Sequence, residues 1–118
     1  MAETWTITEL ANEQGITTRT IRFYEDQGLI SPMRDGRNRI YRNRDRVRLK
    51  LILRGKRIGL SLAEIRDIID LYDSPQGEQQ QVELLRRIIR ERRAHLLGQQ
   101  QDIAVMLNEL DNLEAKLG

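Results

Sequence analysis

The stretch Thr17–Asn43, TTRTIRFYEDQGLISPMRDGRNRIYRN, decides the fold. Thr17 or Thr18 can supply an N-cap oxygen, Ile21, Tyr24 and Glu25 continue at helical spacing, and Gly28 ends the turn. Beyond it, Leu29-Ile30 and Ile40-Tyr41 are short β-prone pieces flanking Pro32 to Asn38. Gly36 and Asn38 are turn formers, so the simplest reading is a two-stranded wing. Arg19, Arg22, Arg34, Arg37, Arg39 and Arg42 all fall inside this stretch. A short basic helix followed by a basic arm suits a duplex, with one element in a groove and the other on the backbone.

Upstream, Thr6-Ile-Thr-Glu9 has capping-box spacing, in which a hydroxyl and a carboxylate satisfy helix-start amides reciprocally. Ile7, Leu10 and Ala11 then form an apolar stripe ending at Gly15, and the next helix starts after Ile16. Two short helices joined in this way make a helix-turn-helix. Downstream, Asn43 can cap a third helix carrying Val47, Leu49, Leu51, Ile52, Leu53 and Ile58, with Gly59 as its stop. Ser61-Leu-Ala-Glu64 is a second capping box, opening a fourth helix with Leu62, Ile65, Ile68, Ile69 and Leu71. Ser74-Pro75-Gln76-Gly77 breaks the chain.

From Gly77 onward no further break occurs. With Val82 at heptad position a, the a positions are Val82, Ile89, Leu96, Ile103, Leu110 and Leu117, and the d positions are Leu85, Arg92, Gln99, Met106 and Leu113. Only Arg92 and Gln99 among these are polar, which predicts a coiled coil. A rod of roughly 60 Å cannot bury its seam on so small a domain, so it requires a partner helix, most simply a second copy. The first half of the rod is basic (Arg86, Arg87, Arg90, Arg92, Arg93) and the second acidic (Asp102, Glu109, Asp111, Glu114). Parallel pairing would oppose Glu109 to Glu114, whereas antiparallel pairing brings Arg86 near Glu114 and sets Arg92 and Gln99 close to the crossing. The expected pair is therefore antiparallel. The reading that results is a mainly α chain: a winged helix-turn-helix unit over 1–73, a linker at 74–77 and a dimerisation helix over 78–118.

Charge distribution supports this division. The chain has 118 residues and a net charge of +2. Residues 1–60 hold 13 Lys/Arg against 7 Asp/Glu, while residues 61–118 hold 7 against 11. One half fits a polyanion and the other a different task. With no cysteine, disulfides and thiolate metal sites are excluded, and the single histidine, His95, fits a helix surface or interface. No membrane-spanning run or signal-peptide core is evident, so a soluble cytoplasmic protein without a cofactor is expected. Asp67, Asp70 and Asp73 recur at i, i+3 spacing and are expected to face solvent rather than form an acid cluster. An enzyme is not expected, because neither a phosphate loop nor a cleft-forming acid pair is present.

The assembled parts resemble the MerR family of bacterial transcription regulators. The resemblance is carried by Ile7-Thr-Glu-Leu-Ala11, Thr20-Ile-Arg-Phe-Tyr-Glu25 with Gly28-Leu29, Asn38 and Tyr41-Arg42. Leu53-Arg54, Gly59-Leu60-Ser61-Leu62 and Ile65 extend it through the second helix pair. Within the family, residues 37–73 look most like regulators of leucine, isovalerate and acyl-CoA catabolism. Metal- and redox-sensing members carry cysteines after the dimer helix, and this sequence has none. The sequence also ends where drug-sensing members begin a ligand domain.

The resemblance implies that the helix Thr18–Gln27 enters the major groove. Thr18 stands at its start, Arg19, Thr20 and Tyr24 are the candidates for base-edge or adjacent backbone contact, and Arg22 is the candidate for phosphate. Tyr24 has core packing as its alternative, with Phe23 expected in the core. The wing residues Arg37, Asn38, Arg39, Tyr41 and Arg42 are expected to grip the flanking backbone, and Arg54 and Arg57 to reach phosphates beyond. Arg44, Arg46 and Arg48 could equally be solvated surface. The implied partners are a promoter inverted repeat in double-stranded DNA, a second copy of the chain, and RNA polymerase. The implied action is bending and underwinding of a promoter spacer, to repress or activate. An architectural or excisionase-like protein that bends DNA with little sequence preference is the alternative, and a coiled-coil adaptor for protein partners would leave the basic half idle.

Overall fold

Three helices end in the same way, and those ends lay out the first half of the molecule. In the computed structural model, which describes residues 3–72 and 77–118, the order is β1 (Thr4–Trp5), α1 (Ile7–Gln14), α2 (Thr18–Asp26), β2 (Met33–Asp35), β3 (Asn38–Arg42), α3 (Asn43–Arg57), α4 (Leu62–Tyr72) and α5 (Gly77–Lys116). After α1, α2 and α3 the N–H of Ile16, Leu29 and Leu60 reaches back to the carbonyl of Ala11, Tyr24 and Gly55 at 3.0 Å in each case. This is the Schellman closure, with the apolar residue after the glycine folded onto the helix it terminates. Gly28 (φ 74°) and Gly59 (φ 85°) occupy the left-handed region that a side chain disfavours.

Helix starts follow the sequence equally closely. The Thr6 hydroxyl accepts from Glu9 N–H at 3.1 Å and the Glu9 carboxylate accepts from Thr6 N–H at 2.8 Å. Ser61 and Glu64 repeat the exchange at 3.1 and 3.0 Å before α4. Thr17 caps α2, accepting from Thr20 N–H at 3.2 Å. Asn43 does not cap α3 but is its first residue; Asp45 binds the Arg42 N–H at 2.9 Å instead.

The strands differ from expectation. Leu29 and Ile30 are not in a strand; both are buried at consecutive positions, which a half-exposed strand with its period of two does not allow. The wing is β2 paired antiparallel with β3 through Met33↔Ile40, Arg34↔Arg39 and Asp35↔Asn38, closed by the two-residue loop Gly36-Arg37. Gly36 takes the positive φ that such a loop needs. β1 adds a third strand on the other side of β3, giving the order β1-β3-β2.

One core holds these pieces together. Leu10, Ile21, Leu29, Ile30, Tyr41, Leu49, Ile52, Ile65 and Ile69 are essentially inaccessible, and Ile88 of α5 joins them. α4 lies between α3 and the first turns of α5, so the rod is anchored to the domain at one end only. Gln81 donates to the Ile68 carbonyl at 2.8 Å, Leu84 and Leu85 pack on the core, and Arg92 Nε donates to the Ile58 carbonyl at 3.2 Å. Residues 81, 84, 85, 88 and 92 share one helix face. Leu85 and Arg92, both expected in the seam, contact their own domain at this junction. The rest of the rod runs free, giving the molecule its 72 Å long axis. Of the expected linker 74–77, only Gly77 lies within the described residues, as the first residue of α5.

Candidate nucleic-acid interface

Arginine is the residue to follow, because the structure divides its arginines into two groups. Arg19 and Arg22 on α2, Arg34 and Arg37 on the hairpin, and Arg54 and Arg57 at the end of α3 are exposed. Asn38 is exposed beside Arg37, and Thr18 and Thr20 are half-buried at the start of α2. The Thr20 hydroxyl already shares a 2.9 Å hydrogen bond with Thr17. A concavity of about 550 Å³ brings Arg22, Arg37, Asn38 and Arg39 together opposite Thr4–Glu9. A second hollow of about 280 Å³ groups Arg54 and Arg57 with Lys50 and Gln14.

Five further arginines of the first half are engaged inside the chain. Arg39 Nε contacts both carboxylate oxygens of Glu25, at 2.9 and 3.1 Å. Arg42 reaches the Ser31 carbonyl at 3.3 Å and lies 3.8 Å from the Asp45 carboxylate. Arg46 pairs with Glu13 at 2.6 Å and sits over the Trp5 ring, 5.3 Å from its centre. Arg48 is buried and donates to the Leu29 carbonyl at 2.8 Å, which explains how the chain between α2 and β2 can run through the interior without a strand partner. Arg66 donates to the Gln27 carbonyl, holding α4 to the end of α2.

Two aromatic assignments change. Tyr41, expected to grip backbone, is fully buried, and its hydroxyl has no hydrogen-bond partner among the described residues. Burial, with the Glu25 carboxylate nearby, pushes its phenol up to about 12. Tyr24 is 5% exposed and packs in the core, its phenol raised by burial, while Phe23 stands 47% exposed beside it. The core alternative for Tyr24 is the one realised, and the core expectation for Phe23 is corrected. On the far side, the Arg46 hydrogen bond holds the Glu13 carboxyl below its usual range.

Sequence reading missed the β1 wall of the first concavity and the part of Lys50. The signal for Lys50 was present, since residues 50, 54 and 57 lie on one helix face. β1 has only the short β-prone run Thr-Trp-Thr to announce it. Among the described residues no group of His, Cys, Asp and Glu could hold a metal ion, and no helix is long and apolar enough to cross a membrane. The arrangement can do one thing well: present guanidinium groups from a helix, a hairpin and a helix end to an extended polyanion.

Known proteins resemble this chain in sequence and in fold. Residues 5–71 match the MerR HTH family of regulatory proteins, and residues 46–113 match the description "MerR, DNA binding". An HTH-type transcriptional regulator, a ZntR homolog of Haemophilus influenzae, is 33% identical over 110 residues, covering 92% of this chain and 74% of that protein. The chain spans about half the length of other curated relatives it matches. A MerR family regulator from Bacillus cereus superposes with a TM-score of 0.73 at 30% identity, covering 97% of this chain and 82% of the other. HiNmlR, a MerR family regulator lacking the sensor domain and solved bound to promoter DNA, gives a TM-score of 0.56 at 27% identity, covering 80% and 79%.

Proposed function

Because the chain belongs to the MerR family and is a DNA-binding transcription regulator of that type, we propose that it grips an inverted-repeat promoter operator as a homodimer. In this reading residues 1–73 are the DNA-binding unit and residues 78–118 the dimerisation rod. One observation carries it: guanidinium groups crowd the exposed surface of one half, and large apolar side chains that of the other. Leu96, Ile103, Met106, Leu110, Leu113 and Leu117 are 50–87% exposed on α5. A contiguous apolar stripe of that length left in water marks an association surface. The basic first half and acidic second half of α5 support antiparallel pairing, which sets two DNA-binding units at opposite ends and so requires a two-fold related site.

α2 enters the major groove, with Arg19 and Thr20 at base edges or the adjacent backbone and Arg22 on phosphate. Arg37 and Asn38 take the flanking backbone, and Arg54 and Arg57 the phosphates beyond. These contacts give affinity and salt dependence, while the sequence is read through α2. Two heads on a fixed rod engage both half-sites fully only if the duplex deforms, at a cost of several kcal/mol offset by the added hairpin contacts. That deformation realigns promoter elements for RNA polymerase, repressing or activating according to the spacer. The likeness of residues 37–73 to regulators of leucine, isovalerate and acyl-CoA catabolism supports target genes of that class.

Selection of bound duplexes from a random library, followed by sequencing, tests the reading. An inverted repeat with a constant centre is the expected product; enrichment without a motif would replace it with an architectural DNA-bending role. On the recovered duplex, Arg22→Ala and Arg37→Ala should each lower the slope of log K against log salt by about one.

A further inference from the structure

The wing touches the double helix only as well as it is aimed, and the structure contains a strut that aims it. Arg39 sits in the middle of β3, and its register partner across the hairpin is Arg34. Like charges directly opposite on one face of an antiparallel pair repel, so this hairpin opposes its own closure unless an anion intervenes. Glu25 is that anion. It lies in the last turn of α2, where an acid faces the negative end of the helix dipole and no basic residue in that turn offsets it. Two locally unfavourable charges, 14 positions apart in the chain, therefore meet, with Arg39 Nε 2.9 and 3.1 Å from the two oxygens. The Glu25 side chain is 10% and the Arg39 side chain 26% exposed, so the pair is largely shielded from water and screened less than a surface pair. It is the ion pair linking α2 to the hairpin among those seen in the described residues.

We infer that Glu25 and Arg39 are positioning residues, which fix the angle between the groove-entering helix and the wing and so set the register between base-edge and flanking phosphate contacts. Arg39 acts through Glu25 rather than on phosphate, and Glu25, an acid at the rim of a polyanion-binding surface, contributes to binding although its charge opposes it. The inference rests on the reading of α2 and the hairpin as the DNA surface.

The test measures affinity against salt on two duplexes, the operator recovered by library selection and poly(dI-dC). Glu25→Gln, Arg39→Lys, the exchange E25R/R39E and the contact control Arg37→Ala are compared with the full-length chain. Positioning predicts that Glu25→Gln and Arg39→Lys each weaken operator binding about tenfold without changing the salt slope or poly(dI-dC) binding. The exchange should recover most of the loss. Arg39→Lys keeps the charge and is the variant to use if Glu25→Gln does not fold. If instead Glu25→Gln binds as tightly as the parent or tighter, and Arg39→Lys is silent, the inference is overturned. If Arg37→Ala lowers the slope while the pair variants stay silent, the DNA surface stands and the strut alone fails. If the parent binds neither duplex, the surface reading fails and the strut with it.

Discussion

Residues 3–72 and the distal two-thirds of α5 solve the same problem in opposite ways. In the first region Tyr41, Leu49, Ile52 and Ile69 lose all contact with water, and five arginines find partners within the chain. Beyond Arg92 no described side chain is buried, and the apolar ones stand half or more exposed. The first region, closed by Ile88 of α5, covers its core within one chain. The second leaves its stripe uncovered within one chain, and since an amphipathic rod gains its stability from burial of that stripe rather than from propensity, this favours the proposed pairing. The lesson is that identical residue types, leucine and isoleucine at helical spacing, report a core in one place and a proposed interface in the other. The discriminating feature is whether the chain folds back over them.

The strongest way to break this contrast is to place a charge on the rod. Ile103→Asp, which a symmetric dimer would bury twice, should weaken association at least ~100-fold, since an unpaired buried carboxylate costs several kcal/mol. Sedimentation equilibrium should then return the monomer mass while the thermal transition of the first region persists. An unchanged dimer would remove the rod from the interface. Next in size, Leu49→Ala, at a position with 0% exposure, should cost about 2–5 kcal/mol in chemical denaturation. The same truncation at Leu107, 56% exposed and outside the seam, should fall within about 0.5 kcal/mol.

Two smaller changes sharpen the picture of the packed half. A Cβ on Gly55 would lie 2.8 Å from Ile65 Cγ1, so Gly55→Ala should separate α3 from α4 and cost about 1–3 kcal/mol in urea unfolding. Tyr41→Phe should stabilise by about 1 kcal/mol, because the hydroxyl it removes is buried without a partner. It should also remove a pH effect. The folded phenol is raised from 10.0 to about 12, so its contribution is full below pH 10 and is lost as pH rises through 12. The difference in stability between the parent and Tyr41→Phe should therefore widen across that window in the direction of a weaker parent.

Local chemistry made most of the first half legible from sequence. Thr6 with Glu9 and Ser61 with Glu64 need only residues three apart, and Gly15-Ile16, Gly28-Leu29 and Gly59-Leu60 need only a helix end and the residue after it. What was not legible involves partners far along the chain. β1 exists because Thr4 and Trp5 meet Arg42 and Tyr41, and neither pair is visible until the hairpin has formed. Leu29 and Ile30 have strand composition, yet the Arg48 guanidinium lets that segment run buried without a strand. A sequence shows that an arginine is cationic but not whether its anion is a phosphate or a carboxylate 33 positions away, as for Arg46 and Glu13. The same limit turned Tyr41 inward and Phe23 outward. Both are aromatic, and only the packing of the assembled core decides which one is covered.

The unbroken run of α5 has a consequence for how such a gene can change length. Each residue of a helix advances the phase by about 100°. One codon inserted near Gly98 would rotate every later side chain away from the stripe that begins at Val82, whereas seven inserted codons would restore the phase and move the far end by about 10 Å. Point substitutions on the outer faces of the rod are cheap, while insertions and deletions keep the stripe in phase only at lengths near whole turns, such as about seven or eleven residues. In the proposed homodimer, the distance between the two DNA-reading heads would therefore be inherited in discrete steps.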